Sequence, residues 1–141
     1  MGIAIIKSYS SGERNETPTV FKDLMIDMSG YNITLEDLNE VTNIPDHAFE
    51  GCYFLTSIDI PEGINRIPYY SLSDCYKLTD IVIPTSVIEL GRYALYNCQS
   101  LESISYNGTV AEWNSINKGE NWDLNTGNYT VYCTDGEISK Q

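Results

Sequence analysis

The sequence predicts a repeat solenoid, in which short β-strands and short helical or 3₁₀ turns wind into stacked coils. Three gapless copies of a 23-residue row begin at Val41, Ile64 and Val87. Apolar residues recur in the same columns of all three rows, and each row ends in an alternation of apolar and polar residues. A fixed period of about 20–50 residues is the signature of repeat architectures, in which each unit buries its apolar face by stacking on its neighbours.

Eight columns of the aligned rows are apolar, and Ser71 is the single exception among their 24 positions. At the chain-wide hydrophobic content of 42%, about ten apolar residues would be expected in 24 positions. We therefore predict that these columns form the buried face. The columns are Val41/Ile64/Val87, Ile44/Ile67/Leu90, Ala48/Ser71/Ala94, Phe49/Leu72/Leu95, Cys52/Cys75/Cys98, Leu55/Leu78/Leu101, Ile58/Ile81/Ile104 and Ile60/Ile83/Tyr106.

Each row divides into two elements. Its tail, L-x-x-I-x-I, alternates with a period of two and predicts a short strand with one buried face. The preceding A-F-x-x-C segment spaces its apolar residues by three and four, which predicts a short helical or 3₁₀ turn. Pro61, Pro84 and the Asn107-Gly108 pair then end the strands and turn the chain.

The rows divide the chain into an N-terminal arm and cap (1–40), three repeats (41–63, 64–86 and 87–109) and a C-terminal cap (110–141). Terminal coils of a solenoid need caps because their apolar faces would otherwise meet water. After Val110 the pattern diverges into a predicted helical turn. We expect four cap residues to cover Tyr106 and Ile104, namely Trp113, Trp122, Tyr129 and Val131.

The N-terminal region leaves alternatives open. Ile33, Leu35 and Leu38 fit a partial row with a two-residue insertion, whereas Thr34-x-x-Asp37 fits the capped start of a short helix. Residues 1–30 fit no row. They are interpreted as a cap, a tether to a larger assembly or an oligomerisation arm.

Residues 41–109 follow the pattern C-x-x-L-x-x-I-x-I-P and then I-x-x-I-(P/G)-x-x-A-F, which resembles the BspA-like, or Treponema-type, leucine-rich repeat. The resemblance implies a leucine-rich-repeat fold, an α/β right-handed superhelix. It also implies a bacterial or bacteriophage protein, typically displayed on a surface, that acts in protein–protein contact or adhesion. The family's proline is replaced by Asn107, and family members often carry many more rows. A closing module of the family is matched by Tyr106-Asn107-Gly108-Thr109, Glu112-Trp113, Ile116, Trp122 and Val131-Tyr132-Cys133-Thr134-Asp135-Gly136.

The net charge of the chain indicates which classes of partner it can bind. Twenty Asp and Glu against eight Lys and Arg give a net charge of -12. Such a chain repels phosphate backbones, so we expect no direct nucleic-acid binding and favour a protein partner, with a basic surface as one possibility. A homo-oligomer through the N-terminal arm or a sheet edge is a further expectation.

No stretch has the ~18 consecutive apolar residues of a membrane span, and the start of the chain is too short for a signal-peptide core. If Met1 is native, this predicts a place in a virion or in the cytoplasm. If a leader has been removed, it predicts the cell surface or secretion.

The titratable and thiol groups have structural interpretations. His47 is the single histidine and shares its column with Tyr70 and Tyr93, which favours an aromatic surface stripe over catalysis. Cys52, Cys75 and Cys98 are expected to be buried free thiols and not zinc ligands or disulfides, because their side chains point the same way.

Two further features bear on metal sites and on the core. Cys133 is expected to be a fourth, cap-level member of the core. Asp123-x-Asn125-x-Gly127 lacks the remaining ligands of a calcium loop and predicts a cap turn. We expect no catalytic residues, no metal site and no cofactor.

Binding residues should therefore lie on the exposed columns. One candidate is the outer face of the strands, and the other is an aromatic band formed by Tyr53 and Tyr76 with Tyr70, Tyr93 and Tyr96. The residues predicted to bind on the two surfaces are Ser57, Asp59, Asp80, Val82, Ser103, Ser105, Tyr70 and Tyr93.

The leading function is a non-enzymatic protein-binding or adhesion module, on a bacterial surface or associated with a phage or prophage virion. The alternative is an acidic cytoplasmic, phage-encoded inhibitor that occupies a basic site of a host protein.

Overall fold

A computed structural model of the protein describes residues 31–33, 41–53 and 55–140. Six strands form one sheet, called sheet A, and three two-residue strands form a second, called sheet B. A six-residue helix, α1 (Val110–Ser115), directly precedes the last strand of sheet B. In spatial order, sheet A contains β1 (Tyr31–Ile33), β2 (Leu55–Asp59), β4 (Asp80–Ile83), β6 (Ser103–Tyr106), β8 (Thr130–Cys133) and β9 (Gly136–Ser139), and sheet B contains β3 (Arg66–Ile67), β5 (Glu89–Leu90) and β7 (Asn117–Lys118).

The strands stack in the register that the 23-residue period predicts. Ile58 of β2 pairs with Ile81 of β4, and Ile81 pairs with Ile104 of β6. All neighbours in the two sheets are parallel except β9, which folds back antiparallel on β8. Equivalent side chains of successive coils therefore lie about 4.8 Å apart, the spacing of strands in a sheet. The predicted repeat solenoid is confirmed.

The predicted apolar columns form the core. Of their 24 positions, 23 are buried, and the remaining one, Val41, packs half-buried against them. Ser71, the polar exception, is 0% exposed, and its hydroxyl donates a hydrogen bond of 2.8 Å to the carbonyl oxygen of Pro68. Since a buried hydroxyl is costly only without a partner, the serine is tolerated inside the second coil.

The prediction of a short helical or 3₁₀ turn in the A-F-x-x-C segment of each row is wrong in detail. The structure contains successive β-turns in these segments. In the first coil, Ala48 N–H donates to Pro45 and Cys52 N–H donates to Phe49. The third residue of each turn is left-handed, His47 with φ 61° and Gly51 with φ 73°. This is the arrangement of type II turns, and a left-handed residue every fourth position prevents a continuous helix.

The C-terminal segment adds a fourth coil that the row pattern did not reveal. Leu95 N–H donates to the carbonyl of Trp122, where one coil earlier Leu72 N–H donates to Ala94. Trp122 therefore occupies the next rung after Ala94, 28 residues on instead of 23, because α1 is inserted before it. Thr109 caps α1 and forms a capping box with Glu112.

The predicted aromatic cover is confirmed at this end. Trp113, Tyr129 and Val131 are buried, and Trp122 is half-buried. The ring centroids of Tyr106 and Trp113 lie 5.4 Å apart, and those of Trp113 and Trp122 lie 6.1 Å apart. These rings close the apolar end of the stack.

At the other end, β1 pairs with β2, and Ile33 lies opposite Ile58. The separation of 25 residues is the one that a partial row with a two-residue insertion has. Leu35, Leu38 and the alternative capped helix at Thr34 lie outside the described residues. So do residues 1–30 and every interpretation of them.

Candidate functional site

Left-handed backbone positions build one surface of the solenoid. His47, Tyr70 and Tyr93 have φ of 61°, 54° and 57°, and Asn121 continues the column with φ 56°. The N–H of His47 donates to Tyr69, and the N–H of Tyr70 donates to Arg92, so each turn is bonded to the next coil. Because these bonds fix the backbone, the side chains of the column lie in register.

The rings of this column stack along the solenoid. The ring centroids of His47 and Tyr70 are 5.3 Å apart with an interplanar angle of 8°, and those of Tyr70 and Tyr93 are 5.0 Å apart at 20°. The Tyr69 and Tyr96 rings meet the Tyr70 ring edge to face at 4.4 Å and 6.3 Å. Both geometries are favourable for aromatic pairs. The aromatic stripe predicted through His47 is therefore present.

A second stack lies beside the first. The Tyr53 and Tyr76 ring centroids are 5.4 Å apart, with an interplanar angle of 5°. Tyr53 is 51% exposed, and Tyr69 and Tyr76 are each 40% exposed. We call the whole surface the tyrosine band, which consists of His47, Tyr53, Tyr69, Tyr70, Tyr76, Tyr93 and Tyr96. Tyr69 was not predicted because its column holds Asp46 and Arg92 in the other rows; its adjacency to Tyr70 was the readable signal.

Acidic and amide side chains border the tyrosine band. Glu50 Oε1 lies 2.8 Å from His47 Nδ1. Asn97 Nδ2 donates to Asp74 Oδ1 at 2.9 Å, and Asn125 Nδ2 donates to Asn97 Oδ1 at 3.2 Å. These bonds tie three successive coils together along the edge of the band.

The hydroxyl groups of the tyrosine band differ in acidity. Partial desolvation raises the pKa of Tyr70, and the neighbouring Tyr69 and Tyr93 add to the shift. The carboxylate of Asp74 raises the pKa of Tyr76. A hydrogen bond from Asn121, together with Arg92, lowers the pKa of Tyr93. Of these three phenols, that of Tyr93, which lies beside an arginine, is therefore the most acidic.

The second predicted surface is the outer side of β2, β4 and β6, which we call the strand face. Ser57, Asp80 and Ser103 lie side by side in one row, and Asp59, Val82 and Ser105 lie in the next. Asp80 is exposed and the other five are half-buried. The structure thus brings the predicted residues together on this face. Tyr70 and Tyr93 belong to the other surface.

The carboxylates of the strand face are partly occupied. The hydroxyls of Thr79 and Ser103 both donate to Asp80, and burial raises the pKa of Asp59. Tyr132 extends the face, since it pairs with Ser105 and is 48% exposed. Tyr132 was not predicted because the inserted helix shifts it out of the 23-residue register.

The three repeat cysteines are fully buried thiols outside any disulfide bond, as predicted. Burial raises the pKa of Cys98 to about 12 and raises that of Cys75 well above its ordinary value. Cys133 is also outside any disulfide bond, but the prediction for it needs correction. Cys133 lies in strand β8 and packs half-buried against the core, so it is outside the cysteine column. In the fourth coil, Thr126 occupies the position of that column.

The Asp123-x-Asn125-x-Gly127 segment forms the predicted cap turn. Asp123 Oδ2 accepts a 2.6 Å hydrogen bond from the Tyr129 hydroxyl, and the Gly127 N–H donates to the carbonyl of Cys98. Asn125 has φ 62° and continues the column of Asn97. Over the part of the chain that the structure describes, no group of three or more His, Cys, Asp or Glu could hold a metal ion.

The comparisons with known proteins assign the family. The family model that describes the BspA type leucine rich repeat region matches residues 27–119 in six copies. This range is about two thirds of the 141 residues. The chain therefore belongs to the BspA-type leucine-rich repeat family. In such a chain, protein binding is the function that the fold generally serves.

A solved structure with detectable similarity is that of a leucine rich cell surface protein from Faecalibacterium prausnitzii. The identity is 41%, the TM-score is 0.48, and the match covers 54% of this chain and 20% of that one. This chain thus spans about a fifth of the length of that protein. No curated protein matches the sequence. Among the described residues, no helix is long and apolar enough to cross a membrane.

Proposed function

We propose that the chain is a non-enzymatic protein-binding module and that the tyrosine band is its contact surface. The supporting observation is the concentration of exposed aromatic area. Three of its tyrosines are 40% to 51% exposed, and they sit on a backbone that is hydrogen-bonded from coil to coil. Tyrosine is enriched at interface hot spots, and a rigid surface loses little conformational entropy on binding.

The strand face is a weaker candidate for the contact. Its side chains are small, and Asp80 already accepts bonds from two hydroxyls of the chain. A partner would find few large anchors there apart from Tyr132. Since a few large residues carry most of the energy of an interface, we place the contact on the tyrosine band.

The experiment compares two double variants against a partner captured from bacterial lysate and from intact cells. Tyr70→Ala with Tyr93→Ala removes the centre of the band, and Asp59→Lys with Asp80→Lys reverses charge on the strand face. We expect the tyrosine variant to lose at least ~2 kcal/mol of binding, roughly thirtyfold in Kd, while the charge variant keeps its dissociation rate and changes only its on-rate. Thermal melting of each variant checks that the coils remain folded.

The opposite pattern would place the contact on the strand face. If neither variant weakens binding while deletion of residues 1–30 abolishes it, the solenoid is a spacer and the proposal is wrong.

The net charge of -12 supports a partner with a basic surface. Raising salt from about 50 to 500 mM should then weaken the complex mainly through a slower on-rate, because electrostatic steering is screened beyond a Debye length. The same charge supports the second candidate function, an acidic inhibitor that covers a basic site of a host protein inside the cell.

The setting that we propose is a bacterial cell surface or a phage virion. Protease treatment of intact cells tests the first setting, since a displayed chain is cleaved while cytoplasmic proteins survive. A chain that stays uncleaved when intact cells are treated with protease would favour the inhibitor.

A further inference from the structure

An arginine of the chain already binds to the tyrosine band. The guanidinium carbon of Arg92 lies 5.0 Å from the centre of the Tyr93 ring, and Arg92 Nη2 lies 3.5 Å from Glu120 Oε2. One ring face and one carboxylate therefore hold one guanidinium. A planar guanidinium suits this arrangement better than an ammonium, because it can stack on the ring and still donate in its own plane to the carboxylate.

Tyr76 and Asp74 repeat this pairing without a cation. Tyr76 is 40% exposed, and its hydroxyl donates to Asp74 Oδ1 at 3.4 Å. Asn97 donates to the same oxygen at 2.9 Å. Within the described part of the chain, no side chain donates to Asp74 Oδ2, and no arginine or lysine lies over the Tyr76 ring.

We propose that Tyr76 and Asp74 form the docking point for an arginine side chain that the partner protein presents. This inference rests on the proposed function, because it names the chemistry of the partner at the same surface. Complementarity of charge supports it, since the chain carries -12 overall and Glu50 adds a second carboxylate along this edge of the band.

The geometry limits how the arginine approaches. Tyr53 stacks on one face of Tyr76, with centroids 5.4 Å apart. On the side of the third coil, the same column continues with Gln99, which is exposed and has no ring. A guanidinium that stacks on Tyr76 must therefore come from the side of the third coil and displace the exposed Gln99 side chain.

The probe is the capped pentapeptide Gly-Arg-Gly-Arg-Gly, with two matched peptides that carry lysine or citrulline in place of arginine. Binding is followed on the full chain by NMR of ¹³C-labelled tyrosine rings at constant ionic strength. We expect the arginine peptide to shift the Tyr76 signals saturably, the lysine peptide to bind at least about fivefold more weakly, and the citrulline peptide to have no effect. Equal binding of the arginine and lysine peptides would overturn the inference, because it would show general attraction to an acidic surface.

Variants localise the effect. Tyr76→Phe keeps the ring and should keep the affinity, whereas Tyr76→Leu and Asp74→Asn should each lower it at least about fivefold. Lys77→Gln removes an adjacent like charge and should raise the affinity. Tyr132→Leu and Asp135→Asn are the matched controls, an exposed tyrosine and an exposed carboxylate outside the band, and should change nothing.

The outcomes separate this inference from the proposed function. If Tyr70→Ala with Tyr93→Ala releases the captured partner but the arginine peptide binds Tyr76→Leu as tightly as the wild type, arginine docking is refuted and the tyrosine band remains the contact. If partner binding ignores the band altogether, the proposed function is refuted whatever the peptide does.

Discussion

The thiol of Cys98 donates a hydrogen bond to the carbonyl oxygen of Leu72 in the preceding coil, with an Sγ–O distance of 3.1 Å. Cys75 makes the same bond to Phe49 at 3.2 Å. A thiol is small enough for the narrow turn side of a coil, and it gives a buried carbonyl a donor. The repeated cysteine therefore combines packing with a bond between coils, which explains its place in the row without any redox or metal chemistry.

Thiol reactivity tests this arrangement. We expect Cys52, Cys75 and Cys98 of the native protein to react with a disulfide reagent no faster than the protein unfolds, because the thiolate is the nucleophile and burial disfavours it. Cys133 is half-buried and should react first. Mass spectrometry of the labelled peptides after short exposure measures the order. Rapid labelling of Cys75 in the folded protein would contradict the stacked core.

Stability should fall in alkaline solution. The folded state keeps protons on Cys75 and Cys98, whose pKa values are raised, while the unfolded chain releases them near the ordinary value of 9.0. For Cys98 the stabilisation is complete below about pH 9 and is lost as the pH rises toward about 12, by up to about 1.4 kcal/mol per pH unit, and the raised pKa of Cys75 adds a loss of the same sign.

Urea unfolding at pH 8, 9, 10 and 11 measures this slope. Cys98→Ala should be less stable at every pH but should show a shallower decline, because one of the titrating thiols is absent. A free energy of unfolding that stays constant from pH 9 to 11 would show that the thiols are not held neutral by the fold.

The phenols of the tyrosine band should titrate in a fixed order. Tyr93 should lose its proton below its ordinary pKa of 10.0 because Asn121 and Arg92 stabilise the phenolate, whereas Tyr70 and Tyr76 should lose theirs above it. NMR of ring carbons during a pH titration gives each value. Asn121→Ala should move the Tyr93 pKa upward and leave that of Tyr76 in place. A Tyr93 that titrates after Tyr76 would contradict the described contacts.

The buried columns were predictable from the sequence because a repeat places the same apolar residue in the same place in every coil. The turns were not, since left-handed positions occupied by His47, Tyr70 and Tyr93 leave no simple sequence signal; glycine is the usual indicator. The fourth coil was missed for another reason. Helix α1 lengthens the connection, so the period on which the alignment depended fails at Trp122.

The 23-residue period also decides which contacts of the tyrosine band were predictable. A column of aromatic residues was visible in the row alignment, and it predicted the stack of Tyr70 and Tyr93. Edge-to-face contacts between neighbouring columns, such as Tyr69 with Tyr70, depend on the path of the turn and could not be read from the period.

Substitution of a central core residue should be costly. Leu78 is 0% exposed and lies in its column between Leu55 and Leu101, which are equally buried. Leu78→Ala should lower the free energy of unfolding by ~2–5 kcal/mol, because neither neighbouring coil can collapse into the cavity without breaking its own contacts. Lys77→Ala, at the adjacent exposed position, is the control and should stay within ~0.5 kcal/mol. Equal urea midpoints for the two variants would mean that the register of the coils is wrong.

A methyl group at Gly91 should force the second and third coils apart. A Cβ built there would lie 2.7 Å from Pro68 C and from Tyr69 N, and these backbone atoms cannot rotate away as a side chain can. Glycine to alanine normally stabilises by ~0.4–1 kcal/mol through the unfolded chain, but overpacking costs ~1–3 kcal/mol, so we expect Gly91→Ala to be net destabilising. At Gly136 the nearest atom is the Val110 Cγ2 methyl, at 3.3 Å, and Gly136→Ala should cost less because that methyl can move.

Urea unfolding compares the free energies of unfolding of the two variants, and a raised midpoint for Gly91→Ala would show that the coils are not in contact at this turn. Because Tyr69 belongs to the tyrosine band, the same variant should also shift the Tyr69 and Tyr70 ring signals, whereas Gly136→Ala should leave them unchanged.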